Sequence, residues 1–308
     1  MSDLIHTPVL AEESVDYLIK NRDGVYFDAT VGFGGHSSLF LNALGQDAKL
    51  LGTDVNDSAF EYAQKKFESD NRFSLYKYNF SKIDLIAKIE SIELFDGIFA
   101  DLGVSSFQLD NVNEGFTFRQ NAKLDLRMDK SLSASAADIV NSATEEEIAT
   151  ILYKFGEEKN SRKIARLIVE KRNYKRIAHT NDLVEIISSM TPPNFVTKSL
   201  MRVFQALRIF VNSELEVLEY FLKKAVSLLK PDGRIVILTY HSLEDRIVKD
   251  HFKQESLSCL CPKDFPVCVC GKQSRVRILT RKPLLPTEEE IKLNSRSRSA
   301  KLRAAERV

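Results

Sequence analysis

The sequence carries no excess of either charge. Lys and Arg number 44 against 43 Asp and Glu, so no global field draws the chain to nucleic acid or membrane, and any such attraction must come from local patches. It lacks a long apolar run as well: stretches such as Arg234–Thr239 are far too short to span a bilayer. The opening Met1-Ser-Asp-Leu-Ile-His-Thr-Pro8 has neither a basic nor an apolar leader region, which argues against secretion and for a cytoplasmic protein. Cysteines are scarce and are not spread as in a disulfide scaffold. All four (Cys259, Cys261, Cys268 and Cys270) fall within twelve residues, and a reducing cytosol would keep them as thiols. Two Cys-x-Cys pairs are compatible with a four-thiolate zinc site. The commoner knuckle uses Cys-x2-Cys, however, and a cysteine-rich loop accounts for them too, so no metal ligand is assigned.

What is present is enough for a large core. At 308 residues, 44% hydrophobic and 28% charged, the chain can form one large domain or one domain carrying a smaller one. Its first hundred residues alternate strand and helix signals, the pattern of a parallel α/β sheet. Strands are expected at Val25–Thr30, Lys49–Asp54, Phe73–Tyr78 and Phe95–Asp101, with helices over Ser37–Leu44, Ser58–Glu68 and Ser81–Ile92. From about Gln108 to Val211 only helical signals occur, including a capping-box start at Thr144-Glu-Glu-Glu147. The α/β rhythm then resumes with a helix over Ser213–Leu229, a Lys230-Pro-Asp-Gly233 turn and a strand over Arg234–Thr239. A helix over Leu243–Phe252, a late strand over Val276–Thr280 and a polar, basic tail follow. The division expected is a discontinuous core, 1–107 and 212–308, interrupted by a helical domain at 108–211.

The chemistry concentrates at Asp28-Ala-Thr-Val-Gly-Phe-Gly-Gly-His36. A turn joining a strand to a helix must bring backbone close to its ligand, and Gly32, Gly34 and Gly35 allow it. Asp54 ends the second strand about twenty residues on, where a carboxylate can accept from both ribose hydroxyls; Asp101 ends the fourth, again at the ligand-binding edge. A dinucleotide fingerprint would need Gly or Ala at Ser37, and Asp28 can face the amino-acid part of S-adenosylmethionine. The turn therefore favours S-adenosylmethionine over NAD.

With these motifs in order, the chain resembles the bacterial RsmH (MraW) methyltransferases. The resemblance spans nearly the whole chain. It rests on His6-Thr-Pro-Val-Leu10, the glycine turn, Asp101-Leu-Gly-Val-Ser-Ser106, Gln108-Leu-Asp110, Gly115-Phe-Thr-Phe118 and Leu124-Asp-Leu-Arg-Met-Asp129. Phe155-Gly-Glu-Glu158, Phe204-Gln-Ala-Leu-Arg208, Val211-Asn-Ser-Glu-Leu215, His241-Ser-Leu-Glu-Asp-Arg246 and Arg296-Ser-Arg-Ser-Ala-Lys-Leu-Arg303 continue it. It implies a Rossmann-like class I S-adenosylmethionine-dependent methyltransferase core with an inserted helical domain. The activity implied is methylation of the exocyclic N4 of a cytidine in the decoding centre of 16S rRNA, within the assembled or assembling small subunit. By the same resemblance Gly34, Gly35 and His36 line the methionine end of the cofactor, Asp54 holds the ribose and Phe80 lies near the adenine. Asp101 and Gln108 complete the pocket beside the reacting methyl.

Asp101 is the candidate catalytic acceptor for the amine N–H, with the carbonyls of Leu102 and Gly103 beside it. Many amino-methyltransferases carry Asp/Asn-Pro-Pro-aromatic at that place; Asp101-Leu-Gly-Val departs from it, which leaves a purely cofactor-binding role open. Methylation at cytosine C5 would need a thiolate, and Cys261-Pro262 lies too far along the chain to favour that. His241 and Tyr240 are candidates for contact with a target base, core packing being the alternative for Tyr240. Asp245 and Arg246 could form a local ion pair. Residues 154–176 carry nine Lys/Arg against three Glu, and 271–308 eleven against four. The first segment reads equally as a solvated face, whereas the tail, poor in apolar residues, reads as a phosphate contact. A non-catalytic ribosome-assembly factor and an NAD-linked oxidoreductase are the competing classes; the intact turn, Asp54 and Asp101 oppose the former and Ser37 the latter.

Overall fold

A computed structural model describes residues 8–262, 267 and 269–308, with the side chains of Ser106, Asp110 and Asn113 excepted. His6 and Thr7 of the first motif, and Cys268, lie outside the described residues. The chain divides into two compact units, Met1–Gly103 with Glu216–Val308, and Val104–Leu215.

The first part of the larger unit runs α1 (Ala11–Leu18), β1 (Val25–Asp28), α2 (Gly35–Ala43), β2 (Lys49–Thr53), α3 (Asp57–Lys66), β3 (Phe73–Tyr76), α4 (Ile83–Ile89) and β4 (Phe95–Asp101). The smaller unit holds α5 (Ser106–Asp110), α6 (Ala136–Ser142), α7 (Glu145–Gly156), α8 (Ser161–Arg172), α9 (Thr180–Met190) and α10 (Pro193–Asn212). After it come α11 (Glu214–Ser227), β5 (Leu229–Thr239), α12 (Ser242–Ser256), β6 (Val276–Ile278), α13 (Glu288–Leu293) and β7 (Lys301–Arg307).

The seven strands form one sheet in the order β3-β2-β1-β4-β5-β7-β6. The first five pair in parallel, and β7 runs antiparallel to both neighbours. Both faces are buried, as a parallel sheet requires. Alternate residues serve opposite faces: Phe27, Ile98, Ile235 and Ile237 pack with α11 side chains such as Phe221 and Leu222. Tyr26, Phe99, Val236 and Leu238 pack on the other side with Leu18 of α1 and Phe40 of α2. The expected Lys230–Gly233 turn is absorbed into β5. Phe95 lies opposite Leu229 and Gly97 opposite Arg234, so the intervening residues bulge out, with Asp232 at φ 63°.

The basic tail is where expectation and structure part. Residues 301–307 are not a solvated phosphate grip but an interior strand, with Leu302, Ala304 and Ala305 fully buried. Its charges are buried in pairs with distant partners: the Arg303 guanidinium donates to Asp245 at 2.6 Å, and Glu306 accepts from Arg234 at 3.0 Å and also from Arg277. Asp245 therefore pairs with Arg303 and Lys301 rather than with Arg246. Burial works against its charge, yet these two cations hold its carboxyl below the usual range.

In the smaller unit, several motif residues brace the backbone. The Asn212 amide donates to the Leu126 carbonyl and accepts from the Met128 N–H, both at 2.8 Å, fixing a turn in which Leu126 sits at φ 61°. Arg208 grips Glu214 through two bonds of 2.8 and 2.9 Å. Buried Glu158 accepts from Ser199 and from the Asn160 N–H, each at 3.0 Å. Thr144 and Glu147 form a capping box at the start of α7. Many cations of the basic stretch 154–176 are engaged locally: Arg166 with Glu170, Lys171 with Glu185 and Arg176 with Asp138. Arg172 donates to the carbonyls of Val140 and Ala143 at the end of α6.

Candidate active site

The glycine turn leaves β1 at Asp28 and enters α2 at Gly35. Two of its glycines have left-handed backbone, Gly32 at φ 54° and Gly34 at φ 73°. Gly34 is doubly constrained, because a Cβ there would meet the Phe67 ring at 2.5 Å. The N-cap of α2 is Gly34, which has no side chain to cap the helix, and the positive dipole end of the helix favours an electron-rich ligand there.

Asp28 does not face a ligand. It is fully buried and accepts from the Ser37 hydroxyl at 2.6 Å and the Thr30 N–H at 3.1 Å. Ser37 thus ties the first turn of α2 to the end of β1, which explains a hydroxyl where a dinucleotide fold has a third glycine. Burial is the main reason that the Asp28 carboxyl rises from an ordinary 3.8 to about 6, against the hydrogen bonds from Ser37 and Thr30 and the neighbouring His36. The native state then binds this proton more tightly than the unfolded chain. Its stabilising contribution is complete below about pH 4 and is lost as pH rises through about 6. Two pKa units correspond to about 3 kcal/mol. Asp28→Asn should accordingly gain about 3 kcal/mol on the parent between about pH 4 and 7 in urea denaturation; a constant difference would mean that the carboxyl does not titrate there.

Asp54 follows β2 and closes the turn from the other side. It accepts from the Gly32 N–H at 2.7 Å and the Asn56 N–H at 2.8 Å. Burial raises its pKa against these donors. A carboxylate has about four acceptor positions, so capacity for ribose hydroxyls remains.

Asp101 ends β4 opposite Leu238 of β5. The two-residue period puts Asp101 on the face of Phe99 and Tyr240 on the face of Leu238, which is the same face. The Tyr240 hydroxyl donates to Asp101 Oδ1 at 2.8 Å, and the Asp101 N–H donates to Thr30 Oγ1 at 2.7 Å. Burial, then the adjacent Asp101 charge, pushes the Tyr240 phenol well above its ordinary 10.0, so it stays a donor. His36 Nδ1 lies 3.5 Å from Asp101 Oδ2, and its Nε2 lies 3.0 Å from the Val9 carbonyl. A carbonyl only accepts, so Nε2 carries hydrogen; a protonated ring would then donate from Nδ1 to Asp101.

Gly34, Gly35, His36, Asp54 and Asp101 therefore gather around one turn, at the carboxyl edge of the parallel strands. Phe80 stands just after β3, its ring edge-on to Phe221 at 5.0 Å and packed on the core. Gln108 belongs to the smaller unit, where its side chain accepts from the Ser105 N–H at 2.9 Å and completes the cap of α5. The sequence reading missed the pairing of Tyr240 with Asp101. Its ring packs on the core rather than standing ready to stack on a base. His241 likewise faces its own helix: Nε2 lies 3.0 Å from Glu244, and Nδ1 accepts from the Glu244 N–H at 3.4 Å.

A sequence model of the MraW methylase family matches residues 3–308. The chain belongs to that family. It is a methyltransferase, and the helix start at the glycine turn and the acceptor capacity of Asp54 fit its cofactor, S-adenosylmethionine. Among the family's members, "Ribosomal RNA small subunit methyltransferase H" of Caldicellulosiruptor saccharolyticus is 46% identical over 98% of this chain and 99% of its own. The proteins of the same name from Fusobacterium nucleatum and Clostridium botulinum strain Kyoto are 45% and 47% identical, each over 98% of this chain and 97% and 99% of their own. A solved rRNA methylase from Streptococcus thermophilus aligns over 99% of both chains at 11% identity and a TM-score of 0.45, a likeness too loose to build on. No helix among the described residues is long and apolar enough to cross a membrane.

Proposed function

We propose that this methyltransferase acts on the exocyclic N4 of a cytidine in the decoding centre of 16S rRNA, within the small ribosomal subunit. The relatives' name, with its small-subunit rRNA, supports the substrate class. The observation that carries the chemistry is the acceptor at the end of β4: Asp101 Oδ1 held by the Tyr240 hydroxyl at 2.8 Å, with His36 beside Oδ2.

The lone pair of cytosine N4 is delocalised into the ring, so the amine needs alignment and an acceptor for its N–H. S-adenosylmethionine, when bound, supplies an electrophilic methyl group. Asp101 accepts a hydrogen bond from the N–H, orients the amine, offsets the positive charge that develops on nitrogen, and takes the proton that nitrogen sheds on gaining the methyl group. The Tyr240 hydroxyl fixes the carboxylate in place. Gly34, Gly35 and His36 hold the methionine end of the cofactor, Asp54 its ribose, and Phe80 lies by its adenine. A cofactor role for Asp101 itself, and the one assigned to Gln108, rest on the sequence motifs alone. The helical unit is assigned to RNA recognition, and a duplexed target base would have to be flipped out.

Small-subunit RNA from cells lacking the protein should lose one N4-methyl on a decoding-centre cytidine, and purified protein with S-adenosylmethionine should restore it. Nucleoside mass spectrometry reads both. Restoration of only a C5- or ribose methyl would refute the assignment.

A further inference from the structure

The connection between α12 and β6 holds a cluster that methyl transfer does not use. The sulfurs of Cys259, Cys261 and Cys270 all lie within 4.8 Å of one another, and those of Cys259 and Cys270 are 3.8 Å apart. Tetrahedral zinc with Zn–S bonds of about 2.3 Å sets its sulfurs about 3.8 Å apart, so the cluster already has the spacing of a thiolate site. Two backbone N–H groups point at it: Leu260 donates to Cys270 and Cys261 to Cys259, each at 3.3 Å. Such donors stabilise the negative charge that ligating sulfur carries.

Among the described residues of the connection, Leu260, Val267 and Val269 are 60%, 69% and 73% exposed, so these apolar side chains build no core. Its base is closed by Arg275, whose N–H donates to the Glu255 carbonyl at 2.8 Å and whose guanidinium pairs with the Glu255 carboxylate at 3.2 Å. A segment whose described apolar side chains lie exposed is a setting in which a structural metal adds stability. We infer that Cys259, Cys261 and Cys270 bind one zinc ion, each thiol giving up its proton on ligation, and that the ion ties this connection together. Thiolate donors select zinc over magnesium or calcium. Cys268 lies outside the described residues and is not counted among the donors.

Protein purified without chelator from zinc-supplemented cells should carry one zinc per chain by elemental analysis. Cobalt(II) added to the reduced, chelator-stripped protein should give thiolate-to-cobalt charge transfer and the visible bands of a tetrahedral ion. The double variant Cys259→Ser/Cys270→Ser should lose the zinc and both spectral features and be cleaved faster by protease within 257–275, while retaining methyl transfer. Absence of charge transfer in the parent would overturn the proposal, as would stoichiometric zinc in the double variant or a Cys259–Cys270 disulfide in protein isolated under reducing conditions. Should the double variant be insoluble, the cobalt titration of the parent decides alone.

Discussion

Asp101→Asn should bind S-adenosylmethionine with little change in affinity and lose methyl transfer by roughly a hundred- to ten-thousand-fold, the range spanned by positioned acid–base groups. The substitution keeps the shape of the side chain and an acceptor oxygen, and Tyr240 can still donate to that oxygen. What disappears is the full negative charge, which polarises the amine and offsets the charge developing on nitrogen. Calorimetry with the cofactor and single-turnover transfer to small subunits separate the two effects. Loss of cofactor binding in step with activity would instead make Asp101 a cofactor ligand. Tyr240→Phe provides a graded control. It removes one hydrogen bond to a charged group, about 1.5 kcal/mol, so transfer should slow by roughly tenfold. The carboxylate remains, so the effect stays far smaller than that of Asp101→Asn.

The second large effect lies at the other end of the chain. Deleting residues 301–308 should prevent cooperative folding, because β7 is hydrogen-bonded on both sides, to β5 and to β6. Its loss exposes the β5 edge and leaves Asp245 without Arg303 and Lys301. Calorimetry and near-ultraviolet circular dichroism check this. A truncated protein that melts like the parent, and loses only RNA affinity, would restore the tail to the role its charge first implied. A milder variant isolates the ion pair: Asp245→Ala strands the buried Arg303 and should cost about 3–5 kcal/mol, read as a lower denaturation midpoint.

That contrast shows what the sequence discloses and why. β1, β2 and β4 are legible because strands covered on both faces need near-continuous apolar runs, and Gly97–Ala100 inside β4 is such a run. The glycine turn, Asp54 and Asp101 are legible because each stands at a strand end, where local spacing alone places it. β7 is not. Lys301–Arg307 reads as solvated because its small Ala304 and Ala305 signal no core, while Arg303 and Glu306 signal water. Their burial depends on Asp245, Arg234 and Arg277, each reached only through the fold. Tyr240 was hidden for the same reason: its bond to Asp101 requires that β4 and β5 be neighbours in register, and 138 intervening positions conceal that adjacency. The one available signal was that both residues mark the ends of strands in a parallel sheet, and such ends meet at one edge. Asp28 was turned the wrong way because strand periodicity does not say whether a ligand or a helix covers the face; Ser37 covers it.

The insertion between β4 and α11 bears on how quickly the chain can fold. Ala100 and Ile237 are paired partners, yet joining them early would close a loop through the entire smaller unit. Closing a loop of that size costs entropy before any contact repays it. The smaller unit is built from helices whose capping boxes and turn bonds span few residues, so forming them first shortens the loop that the strand pair must close. The central strand pair would then condense around an insert already in place. Substitutions that loosen the Asn212 or Glu158 brace would slow folding of the catalytic sheet without touching a residue in it.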